Sequence, residues 1–242
     1  MKQVPITPQL LRFFRGNPQT LIFEGYCVNF DDVTVYCDND GYALTALNGS
    51  GGLECCVYTD SASFLDELLT VLHGNVKFCG VTPFVRDYLQ ARYRFDWLTR
   101  CDLYVWNGKQ LDLGVLDGCD IRPLDLSYVK QVSDGTPYHA DLEDVRTCLT
   151  KHPSAALYVD NKAVCWCLLH VEGSLGMLFT VPEYRRRGYA LRVMTALTQA
   201  VINDGNVPYA YIIEDNVASK SLALKYNLEP ICKAEYFSVN LG

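Results

Sequence analysis

An α+β fold in two units is the architecture this sequence predicts, and three observations carry it. Residues 121–242 alternate β-rich apolar runs with amphipathic helical runs, in the order meander, helix, strand, helix, strand. Residues 1–110 show a similar mix of strands and helices. Between them Leu111–Cys119 is rich in Gly and Asp, which places a smaller N-terminal α+β domain at 1–115 and a second domain at 119–242. A chain of 242 residues, 49% of them apolar, has enough material for two cores.

The elements follow from local chemistry. Thr7-Pro8 opens a short helix, with Thr as cap, Pro at the first position and Gly16 past the end. Val33–Cys37, Tyr42–Leu47 and Leu53–Tyr58 are strand-like runs, separated by Asp38-Asn39-Asp40-Gly41 and Asn48-Gly49-Ser50-Gly51-Gly52, and read as an antiparallel meander. Asp60-Ser61 caps a helix with Leu65, Leu68, Leu69 and Leu72 on one face. Thr82-Pro83 caps another, with Val85, Tyr88 and Leu89 inward. Leu103–Trp106 followed by Asn107-Gly108 reads as a hairpin.

After the break, Ile121–Leu124 is a strand and Leu126–Val132 and Leu142–Leu149 are helices. Ala155–Val159 and Ala163–Val171 form a hairpin about Asp160-Asn161. Glu172-Gly173-Ser174 turns the chain into the strand Leu175–Val181. A helix from Gly188 to about Asn203 carries Leu191, Met194, Leu197 and Val201 at helical spacing and stops at Gly205. Tyr209–Ile213 is a strand, Asn216–Tyr226 a helix with Asn227 suited to a left-handed cap, and Tyr236–Leu241 the last strand.

Composition narrows the function classes. A formal net charge of −7 disfavours general binding to nucleic acid or to an anionic membrane. No apolar run approaches the roughly twenty residues of a membrane span, and Met1–Leu10 has no apolar core of a signal peptide. The eleven cysteines are odd in number and scattered, with no Cys-x-x-Cys pair and no zinc pattern. They read as small buried hydrophobes in a reducing cytoplasm, and no metal is expected.

Against that acidic background, Arg185-Arg186-Arg187 is a local exception. It sits between the strand Leu175–Val181 and a helix opening at Gly188-Tyr189-Ala190. A helix N-terminus has unpaired N–H groups and the positive end of its dipole, so the junction suits phosphate oxygens. Neither a P-loop nor a Gly-x-Gly-x-x-Gly fingerprint is present. The Arg-x-x-Gly-x-Ala loop after Val-Pro-Glu-Tyr resembles the acyl-CoA loop of the GCN5-related N-acetyltransferases (GNAT). Asn216-Val217-Ala218-Ser219-Lys220-Ser221-Leu222 is similar to a second, downstream segment of that family, Asn-x-x-Ser-x-x-Leu. The Pro-Glu-Tyr-Arg variant and the N-terminal half resemble the glycine N-acyltransferase-like, or FR47-like, branch, whose N-terminal half is itself a degenerate GNAT-like unit.

The resemblance implies a GNAT fold at 119–242 and acetyl-CoA as cosubstrate. Backbone groups of Phe179, Thr180 and Val181 would meet the pantetheine arm. Amides around Arg186, Arg187, Gly188, Tyr189 and Ala190 would hold the pyrophosphate. Asn216 and Ser219 would bond the cofactor arm, although Asn216 also fits a plain helix cap. The family's usual tyrosine acid, seven residues after that Asn, is replaced by Ala223. Tyr226 lies three residues on, about 4–5 Å along the helix axis, and is expected to be core. For proton transfer Tyr211 and Glu214 are favoured over Glu172 and His170. The expected function is transfer of acetyl to the amine of a small molecule by direct attack in a ternary complex, by a monomer or homodimer. A non-catalytic CoA-binding sensor is the alternative.

Overall fold

Both halves of the chain run through the same order of elements. The computed structural model describes residues 1–136 and 140–242. The first half contains β1 (Lys2–Val4), α1 (Pro8–Gly16), α2 (Leu21–Asn29), β2 (Thr34–Cys37), β3 (Gly41–Leu47) and β4 (Leu53–Thr59). It continues with α3 (Ala62–Leu69), β5 (Asn75–Val81), α4 (Pro83–Gln90) and β6 (Phe95–Trp106). The second contains β7 (Ile121–Arg122), α5 (Val129–Gly135), α6 (Leu142–Lys151), β8 (Ser154–Val159), β9 (Lys162–Leu169) and β10 (Leu175–Thr180). Then follow α7 (Tyr189–Asn203), β11 (Tyr209–Ile213), α8 (Val217–Lys225) and β12 (Leu228–Asn240). Each half reads β-α-α-β-β-β-α-β-α-β, a repeat of topology with no matching repeat of sequence.

The chain folds into two compact units. One comprises Met1–Leu103, Tyr211–Asp215 and Pro230–Gly242; the other comprises Tyr104–Ala210 and Asn216–Glu229. In the first, the strands follow the order β1-β2-β3-β4-β5-β12-β6-β11. The expected meander is there: Thr45 of β3 pairs with Thr34 on one side and Cys55 on the other. β4 and β5 pair in parallel, with Leu53–Cys55 beside Val76–Phe78. The strand period of two sends alternate residues to opposite faces. Ala43, Cys55 and Val57 meet Phe64, Leu65 and Leu68 of α3 and Val85 and Leu89 of α4. Leu44, Ala46 and Cys56 meet Phe14 of α1 and Ile22, Phe23 and Tyr26 of α2.

Helix α2 has no counterpart among the sequence expectations. Its residues Leu21-Ile22-Phe23-Glu24-Gly25-Tyr26-Cys27-Val28-Asn29 are apolar nearly all round, so no helical stripe stands out. The hairpin expected of Leu103–Trp106 followed by Asn107-Gly108 is not formed. Gly108 does turn at φ 81°, but β6 is a twelve-residue strand and the next element is the 3-10 turn Leu113–Leu116. The last strand is also longer than expected, Leu228–Asn240 instead of Tyr236–Leu241.

The second unit contains a four-stranded antiparallel sheet in the order β10-β9-β8-β7. Asp160 and Asn161 both take positive φ and turn the β8–β9 hairpin, as their residue types demand. Leu124, Val129 and Val132, with Val145 and Cys148 of α6, cover Ala156, Tyr158, Trp166 and Leu168. Helix α7 packs on β8, β9 and β10 through buried Val193, Met194, Leu197 and Val201. β10 is the edge of this sheet, and five of its six residues are half-buried.

Candidate cofactor loop and acyl-transfer site

The junction between β10 and α7 is an eight-residue loop with two left-handed residues. After Thr180 the chain makes the 3-10 turn Pro182–Tyr184, then Arg186 takes φ 59° and Gly188 φ 78°. Successive backbone N–H groups in a turn that enters the left-handed region can form a concavity that favours anions. A Cβ added to Gly188 would meet nothing within 4 Å, so glycine is needed there for its backbone conformation and not for space. Gly188 is the N-cap of α7, no side chain caps the helix, and no acid lies in its first turn. The positive end of the dipole is therefore uncompensated by the helix itself.

The three arginines divide their roles. Arg185 donates from Nε to the Thr180 carbonyl at 3.0 Å. Arg187 donates from Nη2 to the Glu183 carbonyl at 3.2 Å and lies over the Tyr184 ring. Arg186 is exposed and extends from the left-handed position between them. Tyr189 and Ala190 form the first turn behind Gly188, with the Tyr189 ring stacked on Tyr184.

The corresponding junction of the first unit, β4 to α3, differs in each respect. Only Asp60 and Ser61 separate strand from helix. The Ser61 hydroxyl accepts from the Phe64 N–H at 3.3 Å, so the helix caps itself. Asp60 adds an exposed acid to the same two-residue connection. One junction leaves its amides open and the other satisfies them internally.

Upstream of the loop, β10 is distorted. Gly176 pairs with Leu168 and Phe179 with Trp166, so Met177 and Leu178 together oppose Cys167 in a β-bulge. Met177 takes φ 50°, a conformation few non-glycine residues adopt. The Cys167 Sγ donates to the Gly176 carbonyl at 3.2 Å. Phe179 stacks on Trp166 with centroids 5.0 Å apart, and Val181 packs into the same core. The Thr180 hydroxyl lies 3.1 Å from the Cys165 Sγ, and burial pushes that thiol up to about 11. The side chains of Phe179, Thr180 and Val181 thus point into packed surroundings, and what β10 presents at the sheet edge is backbone.

Asn216 caps α8, its Oδ1 accepting from the Ser219 N–H at 3.0 Å. Tyr211 belongs to the apolar cluster of the first unit, against Tyr236 and facing Gly80. Glu214 forms an ion pair with Lys233 at 2.6 Å; hydrogen bonds to Asp102 and Glu214 hold the Lys233 ammonium well above the usual lysine range. Ala223 is fully buried. Tyr226 is buried too, and desolvation, with the Cys167 sulfur beside it, drives its phenol upward. Among the described residues no cluster of three His, Cys, Asp or Glu is placed to hold a metal ion, and no helix is long and apolar enough to cross a membrane.

Residues 157–237 match the family model described as FR47-like protein. An X-ray structure of a Drosophila protein superposes with a TM-score of 0.76 at 14% identity, covering 98% of each chain. The chain has the GNAT fold. A GCN5-related N-acetyltransferase-like protein from Streptococcus suis aligns over 96% of this chain and 97% of its own, with a TM-score of 0.59 and 16% identity. A tandem GNAT protein from the clavulanic acid biosynthesis pathway aligns over 100% and 98%, with a TM-score of 0.60 and 13% identity. Curated protein sequences give no match. Full-length agreement with a tandem GNAT protein accords with the repeated order of elements, and the FR47-like segment lies in the second half, spanning β10, the loop, α7, β11 and α8.

Proposed function

We propose that this GNAT-fold chain is an acyl-CoA-dependent N-acyltransferase that moves acetyl from acetyl-CoA to the amine of a small molecule. The observation that carries it is the β10–α7 junction. An uncapped helix N-terminus, a left-handed Gly188 and a free-standing Arg186 side chain form an anion cradle at the end of a bulged edge strand. Amides of Arg186 to Ala190 hold the pyrophosphate, and arginine side chains add charge-assisted contacts. The backbone edge at Phe179, Thr180 and Val181 pairs with the pantetheine arm, and Asn216 and Ser219 bond it from α8. The segment 119–242 carries the acyltransferase residues, although its stretches 211–215 and 230–242 belong to the first compact unit; 1–115 supplies most of a second GNAT-like unit whose β4–α3 junction, capped by Ser61, binds no CoA.

Direct attack in a ternary complex requires no covalent enzyme intermediate, so none of the eleven cysteines is required as a nucleophile. Their free state suits a reducing cytoplasm. Tyr211 and Glu214 of the β11 segment are the sequence's candidates for moving protons. The buried Ala223 in the position of the family's usual acid favours a second reading, a CoA-binding protein without turnover. One pair of measurements separates them. Calorimetry with acetyl-CoA reports binding, and thiol release with amino acids, polyamines and aryl amines reports transfer. Binding with transfer to one amine class supports the enzyme; binding without transfer to any amine supports the sensor; absence of binding removes both.

A further inference from the structure

We propose, resting on the acyltransferase reading, that His170 is the base that takes the proton from the acceptor amine. β10 has no titratable side chain of its own: it reads Leu175-Gly176-Met177-Leu178-Phe179-Thr180. His170 supplies one from the preceding turn. A Cβ built on Gly176 would lie 2.0 Å from the His170 Nε2 and 2.4 Å from its Cδ2. The imidazole therefore occupies the space that a side chain at position 176 would fill. Only glycine at 176 admits the ring, and this is a sharper reason for that glycine than backbone freedom.

The backbone that carries the ring is fixed. The His170 N–H donates to the Ser174 carbonyl at 2.8 Å, and the His170 carbonyl accepts from the Gly173 N–H at 2.8 Å. Gly173 turns the chain at φ 90°. The imidazole thus sits beside the last regularly paired residue before the bulge, one residue from strained Met177. Backbone strain of this kind collects where geometry serves function. Gly176 pairs with Leu168, and Phe179 with Trp166, so the imidazole shares a sheet face with the Trp166–Phe179 stack.

Titratable side chains belong to, or touch, the turn that carries His170. The Glu172 carboxylate accepts from the Ser174 hydroxyl at 2.6 Å, and the Tyr209 hydroxyl donates to the Glu172 carbonyl at 2.8 Å. The His152 Nε2 lies 2.9 Å from the Val171 carbonyl. Cys148 and Cys167 are buried thiols that desolvation drives upward, away from ionisation.

In the reaction, His170 Nε2 accepts the amine proton as the nitrogen lone pair forms the N–C bond to the thioester carbonyl carbon. The C–S bond then breaks, and sulfur leaves with its electron pair. The imidazolium returns the proton to sulfur, directly or through water. Amine and thioester thus become amide and thiol, and the histidine ends as it began.

The test compares the full chain with His170→Gln and Gly176→Ala, by thiol release with the best amine across pH 5.5–9. Acetyl-CoA affinity by calorimetry and the thermal midpoint are measured alongside. His170→Gln should lower kcat by about 10²–10⁴-fold, the range of positioned acid–base groups. Acetyl-CoA affinity should be unchanged. Gly176→Ala should lower kcat with His170 still present, because the added methyl must displace the ring. The proposal is overturned if His170→Gln stays within a few-fold of the parent. It is equally overturned if Glu214→Gln or Tyr211→Phe lowers kcat by that factor while His170→Gln does not. A parent that binds acetyl-CoA yet transfers to no amine instead refutes the enzyme reading beneath it.

Discussion

Replacing Gly188 by glutamate should remove most of the affinity for coenzyme A, and the structure allows the effect to be divided into parts. Gly188 lies at φ 78° with open space where a side chain would go. Any L-residue there meets backbone strain of about 1–2 kcal/mol but no steric clash. Gly188→Ala carries that strain alone and is the reference. Gly188→Glu adds a carboxylate at the mouth of the anion cradle. At about 5 Å from a phosphate and an effective dielectric of about 20–40, one unit of like charge costs about 1.7–3.3 kcal/mol. That corresponds to about twenty- to two-hundred-fold in Kd between Gly188→Glu and Gly188→Ala. Calorimetry with CoA measures it, with the thermal midpoint showing that both variants share the strain. Because the loop is exposed, the gap should shrink between low salt and about 0.5 M salt, where screening is strong. Equal affinities for the two variants, both folded, would refute the assignment of the loop to the pyrophosphate.

Three further outcomes follow from the same geometry. Ser61→Ala removes the cap of α3 and should cost about 1 kcal/mol of stability, with CoA affinity unchanged; a matching loss of CoA affinity would place binding at the first junction. Tyr226→Phe should leave turnover within a few-fold of the parent, because its phenol is buried and held in the protonated form; a loss of about 10²–10⁴-fold at constant stability would make it an acid of the reaction. Burial raises Cys27 to about 12 and Cys165 to about 11, so at pH 7.5 less than about one in a thousand of either is thiolate, the reactive form. Alkylation of the native protein followed by mass spectrometry should leave both unmodified, and rapid labelling of Cys165 would contradict its packing under β10.

Punctuation residues explain which elements were legible in advance. Thr7-Pro8, Ser61, Thr82-Pro83 and Asn216 each cap a helix by accepting from a backbone N–H, as short polar side chains do. Asp160-Asn161 and Asn227 take the left-handed conformations that their types tolerate best. Helix α2 was hidden because its residues are apolar nearly all round, and a helix with no polar face has no periodic signature. Asn107-Gly108 misled because a turn residue specifies a bend, while a hairpin also needs a partner strand, and that is chosen by long-range pairing.

The sequence by itself determined the chemistry of the β10–loop–α7 segment. A strand, a basic loop, small residues and a helix start are contiguous, and local backbone preference suffices to leave an uncapped helix N-terminus behind a basic loop. Only tertiary structure decided which residues distant in sequence meet. The bulge opposite Cys167, the imidazole seated over Gly176 and the Lys233 pairing of Glu214 join residues brought together by strand pairing and turns. Register between strands is set by packing across the whole sheet, and no local pattern encodes it. The repeated order of ten elements was equally invisible in the residues, because a fold constrains the pattern of burial far more tightly than the identity of the side chains that fill it.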